Sequence, residues 1–156
     1  MKKPVIKDFQ PTPLGLWKRA KEFAEAAGVV ADAARNQLSV PAYYLWGHSI
    51  ELSLKAFLFD SGVPLQELKR KYGHDLKALV DEAMRHNIKR KVHLSVRELG
   101  EIYGLNYEYV AKRFEYHEAE TYMLPYKDRT KRLAEKLVLL IGHTLQEPSQ
   151  NRAPQN

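Results

Sequence analysis

Residues 48–62 read HSIELSLKAFLFDSG, and this stretch decides the fold because it has the length and composition of a buried helix. Apolar residues fill most of its positions, and a helix that is apolar on nearly all sides is enclosed by neighbouring elements. Ser39 followed by Pro41 marks the start of the helix, and Ser61 with Gly62 marks its end. We therefore predict a central helix of about 20 residues.

Polar side chains interrupt this apolar helix at a regular spacing. His48, Glu51 and Lys55 lie three and then four positions apart, which places them on one helix face. Tyr44 extends the stripe by another turn. An exposed Glu–Lys pair contributes only about 0.3–0.5 kcal/mol, whereas a desolvated pair tends to fix an arrangement or to serve a site. Two interpretations stay open: a functional site or dimer seam, and packing contacts within the fold.

Local start signals divide the rest of the chain into further helices. A first helix is predicted over residues 16–35, and Pro64 begins a short helical turn. Asp75 is placed to cap the next helix, although His74 beside it also permits a metal or catalytic pair. Ser95 and Glu98 have the spacing of a capping box, which opens a helix.

The remaining segments complete the predicted organisation. Residues 89–91 are predicted to be a loop, and the last helix is predicted to start at Pro125. The tyrosine-rich residues 106–123 fit either continued helix or an irregular segment. The prediction is all-α, a single up-and-down helical bundle of about four to six helices. It comprises an N-terminal extension over residues 1–15, the bundle over residues 16–145 and a disordered polar tail over residues 146–156.

Composition excludes several classes of protein. The 156 residues include no cysteine, which excludes a disulfide scaffold and cysteine-based zinc sites. No apolar run follows Lys2 and Lys3, so no signal peptide is expected. The longest apolar stretch, residues 137–142, is far shorter than the ~20 residues of a membrane span. We expect a cytoplasmic protein with no membrane partner.

The formal charge of +6 is concentrated in two basic segments. Such segments are either solvated faces or, if folding brings them together, a phosphate-binding surface. Tyrosines near charged segments also provide rings on which single-stranded nucleic acid can stack. The first segment, residues 85–97, contains Arg85, Lys89, Arg90, Lys91 and Arg97; the second, residues 127–136, contains Lys127, Arg129, Lys131, Arg132 and Lys136; the tyrosines are Tyr103, Tyr107, Tyr109, Tyr116 and Tyr122.

Three sequence elements resemble the HEPN superfamily, small helical domains named for nucleotide binding in higher eukaryotes and prokaryotes. They are H-S-I-E-L-S-L-K-A-F-L at residues 48–58, Y-G-H-D-L-K-A-L at residues 72–79 and K-R-F-E-Y at residues 112–116. The resemblance covers residues 41–141. It implies a helical bundle that often dimerises. The implied functions range from metal-independent RNA cleavage in toxin and defence systems to non-catalytic binding of nucleotides, RNA or proteins.

The chain departs from the family's nucleases at their Arg-x4-6-His motif. Only three residues separate Arg113 from His117, the nearest such pair. RNA cleavage without a metal needs a general acid or base and a cation near the phosphate. Arg113 and His117, together with Glu51, are therefore candidate catalytic residues. The alternative is that the pair only makes surface hydrogen bonds to neighbouring glutamates.

Three functions follow from these observations. The first is binding of RNA or a nucleotide through the basic segments without catalysis, in a toxin–antitoxin or defence context. The second is metal-independent endoribonuclease activity, and the third is a homodimerisation or protein-interaction module. No metal site and no cofactor are predicted, because the sequence has neither a second histidine for an HExxH site nor a glycine-rich phosphate loop. The expected partners are a second copy of the chain, RNA or a nucleotide, and a protein such as an antitoxin.

Overall fold

The protein is described by a computed structural model over residues 10–116 and 121–146. Throughout these ranges the regular structure is helical, with no β-strand, so the predicted all-α bundle is confirmed. The α-helices are α1 (Pro13–Ala33), α2 (Val40–Asp60), α3 (Leu65–Glu67), α4 (Leu76–Arg85), α5 (Val96–Val110), α6 (Arg113–Tyr116) and α7 (Lys127–Gln146); a π-helical turn spans Leu68–Tyr72 and a 3-10 turn spans Ile88–Arg90.

Helix α2 is the centre of the bundle, as the sequence predicts. Trp46, Ile50, Leu54 and Leu58 are fully buried along it, and α1, α4, α5 and α7 pack against it. Burial of each such side chain stabilises the fold by about 1.5–3 kcal/mol. The helix begins at Val40, where the Ser39 side chain accepts a hydrogen bond from the backbone of α2.

Helix α1 lies antiparallel to α2 and contacts it through small side chains. Ala20, Ala24, Ala27 and Ala31 are its buried residues. The Ser49 hydroxyl donates to the carbonyl of Ala20 at 2.7 Å, which a close approach of the two helices permits. This packing holds the buried face of α2 against α1 along most of its length.

Two hydrogen bonds, one near each end of α1, hold α7 in place. The Trp17 Nε1 donates to the carbonyl of Val138 at 2.7 Å, and the Lys127 Nζ donates to the carbonyl of Arg35 at 3.1 Å. These two contacts show that α1 and α7 run in opposite directions. No helix within residues 10–116 and 121–146 has both the length and the apolar composition needed to cross a membrane.

The capping predictions are confirmed at two further helices. The Asp75 side chain accepts from the backbone of Ala78 at 2.9 Å. Ser95 and Glu98 form the complete capping box of α5. Helix α1 begins at Pro13, earlier than the predicted residue 16, because the Thr12 side chain provides a cap that the prediction overlooked.

Two segments differ from their predictions, and for a third the structure decides between the helical and the irregular alternative. Residues 88–90 form a 3-10 turn, where residues 89–91 were expected to be a loop. Helix α5 continues to Val110 and α6 covers Arg113–Tyr116, so these parts of residues 106–123 are helical. The last helix begins at Lys127, after Pro125, whose carbonyl accepts from the Tyr43 hydroxyl at 2.7 Å.

Candidate functional site

A buried carboxylate on α2 contacts polar side chains from three parts of the chain. Glu51 is 2% exposed. Its Oε1 lies 2.6 Å from the Lys55 Nζ, and its Oε2 lies 2.6 Å from the Tyr109 hydroxyl and 2.9 Å from the His74 Nδ1. The His48 Nδ1 is 3.5 Å from the same Oε2. We call these five residues the Glu51 site.

Three members of the Glu51 site belong to the stripe that the sequence predicts on α2. His48, Glu51 and Lys55 occupy one face of the helix, and Lys55 is 7% exposed. Tyr44, the fourth residue of the stripe, stacks on the His48 ring with centroids 6.1 Å apart. Both charges of the Glu51–Lys55 pair are therefore enclosed by the bundle of a single chain. Tyr44 and His48 are the partly exposed members of the stripe; whether the stripe serves as a dimer seam stays a prediction.

Tyr109 reaches Glu51 from α5, and Gly47 provides the space for its ring. A Cβ atom at Gly47 would lie 2.7 Å from the Tyr109 Cδ2, which no side chain tolerates without displacement. The Tyr109 hydroxyl donates to Glu51, so its oxygen accepts from the His48 Nδ1 at 3.1 Å. From the sequence, Tyr109 is expected to be a ring on which nucleic-acid bases stack, and its hydrogen bond to Glu51 is not predicted. Its only sequence signal is the glycine in the middle of the apolar helix.

His74 reaches Glu51 because of an irregular turn before α4. The backbone N–H of Gly73 donates to the carbonyl of Leu68 at 3.2 Å, which closes the π-helical turn, and Gly73 has a φ of +51°. Turns of this type frequently occur at functional sites. The His74 side chain is 52% exposed, so it joins the buried carboxylate to the protein surface. From the sequence, His74 was interpreted as a loop residue or as a partner of Asp75.

Electrostatics keep Glu51 ionised and Tyr109 protonated. Burial alone would raise the pKa of Glu51, but the hydrogen bond from His48 and the charge and hydrogen bond of Lys55 outweigh it and lower the pKa well below 4.5. Burial, followed by the negative charge of Glu51, raises the pKa of the Tyr109 hydroxyl far above 10. At neutral pH the tyrosine is thus a donor to an ionised carboxylate.

The carboxylate orients both imidazole rings. The His74 Nδ1 faces Glu51 and the His48 Nδ1 faces the Tyr109 oxygen, so in each neutral ring Nδ1 carries the proton. The Nε2 atoms are left with free lone pairs that can accept a hydrogen bond or a proton. This is the arrangement by which a carboxylate prepares a histidine for acid–base work.

The predicted catalytic arginine has a partner outside the Glu51 site. The Arg113 Nε lies 2.9 Å from Oε2 of Glu108, a carboxylate that is 1% exposed. Glu108 also accepts from the backbone N–H of Met123 at 3.0 Å. Arg113 therefore neutralises a buried charge and ties α6 to α5. His117, the predicted catalytic histidine, lies outside the described residues.

Several cations of the two predicted basic segments contact acidic or carbonyl oxygens. The Lys136 Nζ is 2.7 Å from Oε1 of Glu98, and the Arg129 Nε is 3.8 Å from Oε1 of Glu101. These contacts join α7 to α5. Arg85 pairs with Glu82, and Lys127 donates to the Arg35 carbonyl. Lys131 is half-buried, and the exposed members are Arg85, Lys89, Arg90, Lys91, Arg97, Arg129 and Arg132.

A third basic segment, which was not predicted from the sequence, adjoins His74. Residues 69–77 carry four basic side chains and one carboxylate. The carboxylate, Asp75, is occupied by the cap of α4 and by a hydrogen bond from Asn106. The sequence signal for this segment is the run KRK at residues 69–71, directly before YGHDLK. The exposed cations of this segment are Lys69, Arg70, Lys71 and Lys77.

The described ranges contain no group of three or more histidine, aspartate or glutamate side chains arranged to hold a metal ion. The Glu51 site has two histidines and one carboxylate, but that carboxylate is engaged by Lys55 and Tyr109. Comparison of the chain with protein-family models, with curated proteins and with solved structures finds no match.

Proposed function

We propose that this chain is a HEPN-like helical domain that binds RNA through the basic segments 85–97 and 127–136, without cleaving it. One observation carries the proposal: the Lys136 Nζ contacts Glu98, which directly follows Arg97, so the end of one basic segment adjoins the other. The resemblance of residues 41–141 to the HEPN superfamily supports it. A nucleotide would use the same cations, but an extended polyanion matches their spread better.

The exposed cations make the first segment the main candidate for phosphate contacts. Lys89 and Arg90 lie on a 3-10 turn, and Arg97 lies in the first turn of α5. Contacts of this kind release counterions from RNA. Affinity should therefore fall with salt by a log–log slope of about 0.7 per phosphate contact on a single strand.

A salt titration of binding to labelled single-stranded RNA tests the proposal. The variant carries Lys89→Ala and Arg90→Ala, and we expect its slope to be smaller by about 0.7 for each phosphate that is no longer neutralised. The matched control carries Lys18→Ala and Lys21→Ala, which removes the same charge from exposed positions on α1. Absence of binding at low salt, or binding that is independent of salt, would contradict the proposal.

The geometry of the Glu51 site favours a second candidate function, metal-independent RNA cleavage. Glu51 directs the Nδ1 of His74, and through Tyr109 that of His48, so that each ring offers its Nε2 as a base. RNA that is shortened in the presence of a chelator by the wild type, but not by His74→Ala, would establish this activity. A parallel His117→Ala variant tests the histidine predicted from the sequence.

The other partner predictions, a homodimer and a protein partner such as an antitoxin, remain predictions. Light scattering of the purified protein measures the first. Co-purification with the product of an adjacent gene measures the second.

A further inference from the structure

We propose that His74 and the third basic segment form a site that recognises ribonucleotides: the Nε2 of His74 accepts a hydrogen bond from a ribose 2′-hydroxyl, while Lys69 and Arg70 contact the flanking phosphates. The inference rests on the proposed RNA binding and specifies it. The site selects RNA over DNA of the same sequence.

A buried anion sets the orientation of His74. Its Nδ1 lies 2.9 Å from a carboxylate oxygen of Glu51, and that carboxylate is held by Lys55 and Tyr109 at 2.6 Å each. The imidazole is thus fixed with its Nε2 on the edge of the ring opposite Glu51. The side chain is 52% exposed, so a ligand can reach the ring.

His48, the other histidine of the site, is less accessible. Its ring is contacted edge-on by Phe23 at a centroid distance of 4.5 Å and is covered by Tyr44. Its side chain is 22% exposed. Of the two prepared imidazoles, only His74 combines orientation by Glu51 with an open surface position.

The chemistry of the neutral imidazole selects the group that it binds. When the ring is neutral and its single proton is on Nδ1, Nε2 is an acceptor and needs a donor from the ligand. Phosphate diester oxygens have no proton to donate. The 2′-hydroxyl does, and it is the group by which a protein distinguishes RNA from DNA.

The positive charges near His74 can contact the phosphates on either side of the bound ribose. Lys69 and Arg70 are exposed on the turn that leads to His74. Arg70 also lines an open groove of about 520 Å³, whose one carboxylate, Glu67, is paired with Lys71 at 3.5 Å. The remaining groove residues are Pro64 and Gln66.

The experiment compares binding of labelled oligouridylate and oligodeoxyuridylate, which differ only in the 2′-hydroxyl. We expect the wild type to prefer RNA by roughly three- to tenfold, the effect of one hydrogen bond. His74→Asn keeps a donor near the Nδ1 position and thus the contact with Glu51, but it lacks Nε2. We expect this variant to lose the preference while its affinity for oligodeoxyuridylate stays unchanged.

Two further variants separate the possible causes. The double variant Lys69→Ala with Arg70→Ala should weaken binding of both oligonucleotides to the same extent, because phosphates are common to both. His143→Asn, at an exposed position on α7, should change neither affinity. A thermal melt of each variant confirms that it is folded.

Equal binding of the two oligonucleotides by the wild type, or a preference for RNA that survives in His74→Asn, would overturn the inference and leave RNA binding intact. Binding of neither oligonucleotide at low salt would overturn both proposals. As an independent readout, the ¹⁵N signal of the His74 Nε2 should shift with oligouridylate and stay in place with oligodeoxyuridylate.

Discussion

Glu51 is a negative charge that the bundle encloses almost completely, and its partners decide what that charge costs. Lys55 supplies the opposite charge, while Tyr109 and His74 occupy the second carboxylate oxygen. Removal of one partner from such a pair leaves an uncompensated charge in the protein interior. Single substitutions around Glu51 should therefore be costly even where they leave the apolar core intact.

Replacement Lys55→Met should lower the free energy of unfolding by about 3–5 kcal/mol, because Glu51 would lose its buried counter-charge. Urea unfolding measures the change. The matched control is Lys77→Met. Lys77 also contacts a carboxylate four positions away, Asp81 at 2.7 Å, but in the reverse order and on the surface, so its loss should cost less than about 1 kcal/mol. Similar small costs for both variants would mean that the Glu51 charge is not isolated from water.

Replacement Gly47→Ala should lower stability by about 1–3 kcal/mol, because the added methyl group would meet the Tyr109 ring at 2.7 Å and force it to shift. Gly28→Ala in α1 is the control. No atom lies within 4 Å of a Cβ at Gly28, so the better helix propensity of alanine should raise stability by about 0.5–1 kcal/mol. Thermal melts of the two variants should therefore move in opposite directions.

At the scale of elements, the N-terminus of α4 is held by two side chains that come from different parts of the chain. Asp75 accepts from the backbone of Ala78, and Asn106 of α5 accepts from the backbone of Leu76 at 2.8 Å. The Asn106 amide also donates to Asp75 at 3.1 Å. This shared cap fixes the backbone directly after His74. It therefore connects the packing of α5 with the geometry of the candidate site.

Replacement Asn106→Ala should cost about 1–3 kcal/mol, because a buried backbone N–H at Leu76 would lose its acceptor. Chemical denaturation gives the cost. Thr12→Ala, at the exposed cap of α1, is the comparison and should cost about 1 kcal/mol. If the inference about His74 is right, Asn106→Ala should also reduce the preference for oligouridylate. Thr12→Ala should leave that preference unchanged.

Elements that depend on short-range signals were predictable from the sequence. The caps at Ser39, Asp75 and Ser95 each involve residues within four positions of one another, and all three predictions are confirmed. The π-helical turn at Leu68–Tyr72 was not predicted, because it is stabilised by burial of Leu68 and Tyr72 in the core and not by a local motif. The continuation of α5 to Val110 places Leu105 and Tyr109 in the core, a long-range contact that no local motif signals.

At the scale of the whole molecule, the described residues form one main hydrophobic core; Tyr109 belongs to it, and Glu51 and Lys55 are buried. At this scale too, contacts between residues close in sequence were predictable, and contacts between distant residues were not. The stripe of His48, Glu51 and Lys55 was readable because helical spacing relates neighbouring turns. His74 and Tyr109 are 23 and 58 positions from Glu51, and no sequence pattern relates residues at such separations. Only the packing of α4 and α5 on α2 brings them together.

Acid should destabilise the whole bundle through Glu51. Its pKa is lowered below the ordinary 4.5 in the folded protein, so the ionised form favours folding. That contribution is present above about pH 4.5 and is lost as the pH falls toward the folded-state pKa. The pKa values of Asp81, Glu82 and Glu98 are also lowered and act in the same direction. Urea midpoints should fall steadily from about pH 4.5 downward; a constant midpoint would contradict this account.

The convergence of three elements on Glu51 has a consequence for the order in which the molecule opens. Contacts to His74 and Tyr109 exist only while the segment before α4 and the end of α5 are both docked on α2. Partial unfolding of either one removes the site before the rest of the bundle unfolds. In native-state hydrogen exchange, the amides of α4 and α5 should therefore exchange before those of α2 around Glu51. Ligand binding at His74 should slow exchange in both helices at once.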